Sequence, residues 1–282
     1  MKLIFDIETD GLLPELTKIH CLVAKDIETN QLYSYRPDKV EDGLQLLSEA
    51  EEIIAHNGIG FDIPAIKKVF PDWNTKAKIL DTLVLSRLIW PDLKNNDFAT
   101  SKKHGFEPRL IGSHGLEAWG RRLNILKGDF GKQTDWLEWS EEMQNYCSQD
   151  VEVTHTLYKQ IQSKNYSEKA IELEHQFAHV IYLQQAAGFT FDTDKALQLQ
   201  ATLTKKRVEL EEELQEMFPP FQKDLGEFIP ARDNRTLGYV KGVAIHKYET
   251  VTFNPNSRYH IANRLKDKYN WKPKVFTPDG KP

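Results

Sequence analysis

Residues 2–8, Lys2-Leu3-Ile4-Phe5-Asp6-Ile7-Glu8, set two carboxylates into an otherwise apolar run near the start of the chain. A short apolar run of this kind predicts a strand buried in a sheet. Successive side chains on a strand alternate faces, so Asp6 and Glu8 project from the same side. Two like charges held together in a buried strand repel each other and need a partner. A hard divalent cation answers that need, because such ions prefer carboxylate oxygens, keep several waters and share phosphate oxygens with a substrate. An Asp-x-Glu pair also occurs often on exposed strands, so the weight here comes from Leu3, Ile4, Phe5 and Ile7 around it.

The other 275 residues must supply the rest of that sheet, and at 282 residues the chain has room for about two domains. Hydrophobic residues make up 40% and charged residues 28%, an ordinary globular balance. No run approaches the roughly 18 apolar residues of a membrane helix, so no membrane association is expected. The carboxylate of Asp6 also interrupts the N-terminal apolar stretch too early for a signal peptide. The two cysteines, Cys21 and Cys147, form no CxxC pattern, which argues against a disulfide framework and for a reducing cytoplasm. The net charge of −5 opposes tight non-specific binding to nucleic acid, yet it is uneven. Residues 221–282 hold 12 Lys/Arg and 6 Asp/Glu, a net of +6, which leaves −11 on the first 220 residues. An acidic body could meet phosphate through bound cations while a basic tail touches the backbone directly; equally, both could be solvated faces.

The strand at 2–8 is followed by predicted strands at 20–26 and 31–36, with Glu28-Thr29-Asn30 as the turn between them. Leu44, Leu46 and Leu47 suggest a short helix, and Ile53 to His56 a fourth strand ended by Asn57-Gly58. A helix is expected to start near Asp62, with Pro64 in its first turn. Ile79-Leu80 reads as a fifth strand, and Asp81 as the cap of a helix reaching about Trp90. Residues 92–110 are polar and turn-rich and predict a surface loop, while apolar spacing predicts helices over 113–123 and 139–163. Three consecutive strands followed by alternating helix and strand imply an α/β fold: a mixed, ribonuclease-H-like sheet whose opening meander is antiparallel and whose later crossovers are parallel. A polar joint at 163–167 leads to two long helices, about 168–187 and 193–217, separated by Gly188-Phe189. Pro219-Pro220 stops the second. Strand-like pieces at Tyr239-Val240 and Tyr248 to Phe253 and a helix from Ser257 to about Lys268 complete a mostly helical second region.

Other residues gather meaning from their positions. Asp62 follows the fourth strand at a predicted helix start, where a plain N-cap role serves as well as a chemical one. The fragment His56-Asn57-Gly58-Ile59-Gly60-Phe61-Asp62 has two glycines suited to close backbone approach and a ring that could support a base or sugar. Tyr146 and Asp150 are four apart on a predicted helix and share a face, either as a buried tyrosine beside an acid or as a pair able to orient a water.

Taken in order, Asp6-Ile7-Glu8-Thr9, Asn57-x3-Phe61-Asp62 and Tyr146-x3-Asp150 resemble the three exonuclease motifs of the DEDD superfamily, in its tyrosine-bearing subclass. The histidine-bearing subclass would have His where Asn145 stands. The resemblance extends to the family A DNA polymerases of T-seven-type phages. It does so through Tyr33-Ser34-Tyr35-Arg36-Pro37, the stretch from Asp81 to Ile89, the stretch from Gly112 to Gly120, and Phe253-Asn254-Pro255-Asn256-Ser257-Arg258. It implies a proofreading 3′→5′ exonuclease domain at 1–165 and the start of a polymerase thumb at 166–282, working in a phage-infected bacterial cytoplasm on the 3′ end of single-stranded DNA. A stand-alone exoribonuclease and a docking module of a split polymerase are the alternatives.

Carried over residue by residue, the resemblance gives Asp6, Glu8 and Asp150 to one Mg²⁺ ion. Asp6, with Asp62 acting through water, goes to a second; Mn²⁺ could replace either. Tyr146 orients the attacking water. Thr9, Leu12, Asn57 and Phe61 contact the DNA, with Leu12 as a wedge against the terminal base, though Leu12 would serve equally in simple packing. Asp81 and the Gly112–Gly120 stretch read as structural. The family's palm and fingers have no counterpart in these 282 residues, so the chain alone is expected not to polymerise, and a second chain could carry them. The segment 218–252 is too short for the insertion through which some phage members recruit thioredoxin, which argues against that partner.

Overall fold

A computed structural model describes residues 1–104, 106–125, 134, 136–277 and 280. It divides into two compact units, Met1–Gly188 and Phe189–Pro282.

The first unit is built on a five-stranded sheet in the order β3-β2-β1-β4-β5. Its strands are β1 (Lys2–Thr9), β2 (Ile19–Asp26), β3 (Leu32–Tyr35), β4 (Glu52–Ala55) and β5 (Lys78–Asp81). β1 runs antiparallel to β2, and β2 to β3, while β1–β4 and β4–β5 are parallel, as the order of elements predicts. The central strand β1 therefore has neighbours on both edges and its side chains face two separate layers. On one face Leu3, Phe5 and Ile7 join Leu44 and Leu47 of α1 (Val40–Glu49) and Ile63 and Ile66 of α2 (Asp62–Val69). On the other face Ile4 joins Met143, Cys147 and Val151 of α6 (Glu141–Gln162). Each fully buried Leu or Ile in these layers contributes about 1.5–3 kcal/mol relative to an exposed one. Period two then places Asp6 and Glu8 on the face of Ile4, toward α6.

Between β5 and α6 lie α3 (Thr82–Ile89), α4 (Leu93–His104) and α5 (Leu116–Leu123). Leu85, Leu93 and Trp119 from these helices pack with Val153, Leu157 and Ile161 of α6. Asp81 caps α3 as predicted, its side chain accepting from Leu83 N and Val84 N. α4 corrects the loop predicted for 92–110. The stretch has too few apolar residues to signal a helix, and what fixes it is a distant charge. Asp97, 2% exposed, accepts from Arg122 Nε at 3.0 Å, from Arg122 NH2 at 2.6 Å and from Gly112 N at 2.8 Å. An ion pair reaching 25 residues along the chain leaves no trace in local periodicity. α7 (Glu168–Ala187) closes this unit and ends at Gly188, whose φ of 65° is a conformation glycine adopts without strain.

The second unit contains α8 (Thr193–Met217), the antiparallel ribbon of β6 (Phe221–Phe228) and β7 (Ile245–Val251), and α9 (Arg258–Tyr269). β6 has no counterpart among the predicted strands. At Tyr239-Val240 a single bridge, Asn234 to Tyr239, replaces the expected strand. β7 begins three residues before the predicted start at Tyr248. Among the described residues, no helix is long and apolar enough to cross a membrane.

Candidate metal centre

The acids and the tyrosine singled out by sequence come from three elements of the first unit. Asp6 and Glu8 lie on β1, paired in register with Val23 and Cys21 of β2. Asp62 is the first residue of α2, and Asp150 and Tyr146 are on α6. Ser140 caps α6, its side chain accepting from Met143 N, and so fixes where the helix starts and which face meets β1. Ligating atoms of Asp6, Glu8 and Cys147 all lie within 4.8 Å of one another. Asp150 is one turn beyond Cys147 on the same face of α6 and is buried.

The loop between β4 and α2 is fixed by Asp81. Its carboxylate accepts from Asn57 N at 2.9 Å and Ile59 N at 3.1 Å, besides capping α3. Gly58 is required here, since a Cβ at that position would stand 2.7 Å from the Cβ of Ala55 on the strand just ended. Asn57 takes a left-handed φ of 70°, and its carbonyl accepts from Gly60 N and Phe61 N. This turn aims Asp62 inward. Asp81 is in turn held by α7, where His175 Nε2 accepts from Asp81 N at 2.8 Å while Nδ1 donates to Ile171 O at 2.7 Å. Neither the His175 contact nor the loop-pinning role of Asp81 has a signal in the local sequence, since each joins stretches far apart in the chain.

The electrostatics are those of a crowded anion site. Asp62 is 3% exposed, and its pKa is pushed up to about 7 by burial first, then by the charges of Asp81 and Asp150; hydrogen bonds from its own amide and that of Ile7 oppose the shift. Burial also pushes the Cys147 thiol well up, helped by a hydrogen bond with Cys21 and by the charges of Asp6 and Glu8. Carboxylates that destabilise one another's ionised forms suit a divalent cation, whose charge reverses that cost. The residues present thus fit a divalent metal centre with oxygen ligands.

Tyr146 is half-buried, its ring edge-on to Trp136 with centroids 6.0 Å apart. Trp136 is itself placed by His20, whose Nε2 donates to Trp136 O at 2.9 Å. Trp136 was not anticipated, because nothing local ties it to Tyr146. Thr9 is buried and donates from its hydroxyl to Gly11 O at 2.8 Å. Leu12 is 72% exposed on a tight turn whose carbonyl accepts from Glu15 N and Leu16 N, so packing does not account for it. Phe61 packs partly against the core, and Asn57 is exposed.

The chain is 32% identical to the DNA-directed DNA polymerase of Enterobacteria phage T3, covering 99% of this chain and 51% of the polymerase. It is 31% identical to that of Escherichia phage T7, with the same coverage. The chain thus spans about half the length of these curated relatives. Among solved structures, Escherichia coli RNase D, an exoribonuclease involved in structured RNA processing, matches with a TM-score of 0.42 and 14% identity over 65% of this chain and 45% of that one. Residues 3–162, which hold the sheet from β1 to β5 and α6 packed across it, match the RNase H superfamily, and the chain belongs to that superfamily.

Proposed function

We propose that this chain is a metal-dependent 3′→5′ exonuclease acting on DNA, the proofreading part of a family A polymerase of the phage type. The observation that carries the reading is the pair of acids on β1, Asp6 and Glu8, whose ligating atoms lie with that of Cys147 of α6 within 4.8 Å of one another. Beside it stands the buried Asp62 of α2, pushed up to a pKa of about 7 by burial first and then by the charges of Asp81 and Asp150. The DNA-directed polymerases of phages T3 and T7 supply the preference for DNA over RNA. On this reading residues 1–165 form the exonuclease domain and 166–282 the beginning of a thumb, with palm and fingers supplied by further polypeptide and the work done in the host cytoplasm.

Mg²⁺ suits an oxygen donor set, with Mn²⁺ as a substitute. When bound, such ions supply an ionised water at neutral pH and offset the charge of the phosphate under attack. Asp6, Glu8 and Asp150 would hold one ion, and Asp6 together with Asp62 would hold the other. Tyr146, steadied by the ring of Trp136, orients the attacking water through its hydroxyl. Leu12 props against the terminal base, while Thr9, Asn57 and Phe61 hold the end of the strand in place. The product is a nucleoside 5′-monophosphate.

The test is degradation of a 5′-labelled single-stranded DNA oligonucleotide. A ladder shortening from the 3′ end is expected with Mg²⁺ and none with EDTA, and the matching RNA should be cut more slowly. Intact DNA in both Mg²⁺ and Mn²⁺ would overturn the proposal. In the same assay Tyr146→Phe should slow turnover by about tenfold to a hundredfold, the cost of losing the orientation of a reactant. Its Mg²⁺ affinity should not change. Parental turnover in Tyr146→Phe would remove the hydroxyl from the reaction.

A further inference from the structure

One side chain at the metal centre differs in kind from its neighbours. Cys147, fully buried, donates from Sγ to Asp6 O at 3.3 Å and to Asp6 Oδ2 at 3.6 Å. The Asp6, Glu8 and Cys147 donors together span no more than 4.8 Å. A zinc ion about 2.3 Å from sulfur and about 2.1 Å from oxygen in tetrahedral geometry holds those two atoms about 3.6 Å apart. The Sγ to Oδ2 separation already equals that span, so the ion could take the place of the thiol proton without moving either group. An all-oxygen set favours hard ions, whereas one thiolate turns a site toward Zn²⁺ and other thiophilic metals.

We propose that Cys147 makes the carboxylate pair of β1 a site for thiophilic divalent cations such as Zn²⁺ and Cd²⁺, bound through Asp6, Glu8 and the Cys147 sulfur in competition with the hard ion. The proposal rests on the reading of Asp6 and Glu8 as metal ligands. As the bond from Sγ to the cation forms, the S–H bond breaks and its proton leaves to solvent, while the sulfur keeps the electron pair it shares with the metal. An ion held in this way occupies Asp6 and Glu8 in a geometry made for tetrahedral zinc rather than octahedral magnesium. Cys147 therefore sets how strongly thiophilic ions compete with the hard ion for Asp6 and Glu8.

Cd²⁺ titrated into the full chain reports the site through its sulfur-to-cadmium charge-transfer absorbance, with calorimetry giving the affinity. The parent and Cys21→Ala should both develop the band. Cys147→Ala and Cys147→Ser should lose it with unchanged circular dichroism, and should bind Cd²⁺ about tenfold more weakly or worse, the loss expected even for an outer-shell partner. Asp6→Ala should lose the band with both thiols intact. No band in the parent, a band that survives in Cys147→Ser, or one that survives in Asp6→Ala would overturn the proposal. The absorbance needs no DNA cleavage, so a chain that showed the band but cut nothing would refute the exonuclease reading and leave the thiophilic site standing.

Discussion

Asp6→Ala is expected to reduce metal-dependent DNA degradation by about a thousandfold or more, since losing even one preorganised electrostatic contact costs about 10²–10³ in rate. Asp6 is the acid with most to lose, being the one assigned to both ions. The fold should survive, because the carboxylate belongs to neither apolar layer of the sheet. The backbone of β1 stays paired to β2 through the Asp6 to Val23 register, and Cys147 Sγ still has the residue 6 carbonyl to donate to. Removing one of several mutually repelling charges should leave the metal-free melting temperature equal to the parent's or above it. The measurements are the 5′-labelled ladder assay and thermal melts in EDTA for both proteins. Parental turnover with Mg²⁺ would sink the assignment of the centre, whereas a lowered melting temperature would mean that activity was lost through the fold.

The parts of the molecule legible in sequence are those whose cause is local. β1 to β5, the start of α2 at Asp62 and the Asp81 cap follow from apolar runs, a glycine turn and a short acidic side chain before a helix. Period two alone puts Asp6 and Glu8 on one face. Their direction, toward α6 rather than toward α1 and α2, depends on how the layers pack, and no spacing rule holds that information. For the same reason Cys147 reads from sequence as one more core residue of an amphipathic helix; only the packing of α6 on β1 brings its sulfur to Asp6. α4 depends on Asp97 meeting Arg122, and Trp136 on meeting His20 and Tyr146, each a contact between distant stretches. β6 was hidden because Phe221–Phe228 mixes charge and apolar residues without alternation, and its partner lies beyond an irregular stretch.

The burial of Asp62, with the charges of Asp81 and Asp150 beside it, also predicts that the metal-free site is a source of instability. Asp62→Asn should stabilise the metal-free chain by about 2–4 kcal/mol near pH 8. The folded-state pKa of Asp62, about 7, lies above its ordinary value of 3.8, so in that window the folded chain holds a proton that the unfolded chain has released. Stability therefore falls as pH rises from about 4 to about 7. The full penalty applies above that window and none below it. Asparagine carries no charge in either state and keeps an oxygen to accept from the Ile7 amide, so the variant should lose this part of the pH slope without losing the hydrogen bond. Urea unfolding in EDTA across the window measures it, and parallel stability curves for parent and Asp62→Asn would show that Asp62 is not held ionised against its neighbours. Adding Mg²⁺ should then narrow the gap at pH 8, because an ion that binds only the folded parent stabilises it by mass action while the variant binds more weakly. The same substitution should therefore raise metal-free stability and lower activity, since the ionised carboxylate that burial and the charges of Asp81 and Asp150 disfavour is the form that binds a cation.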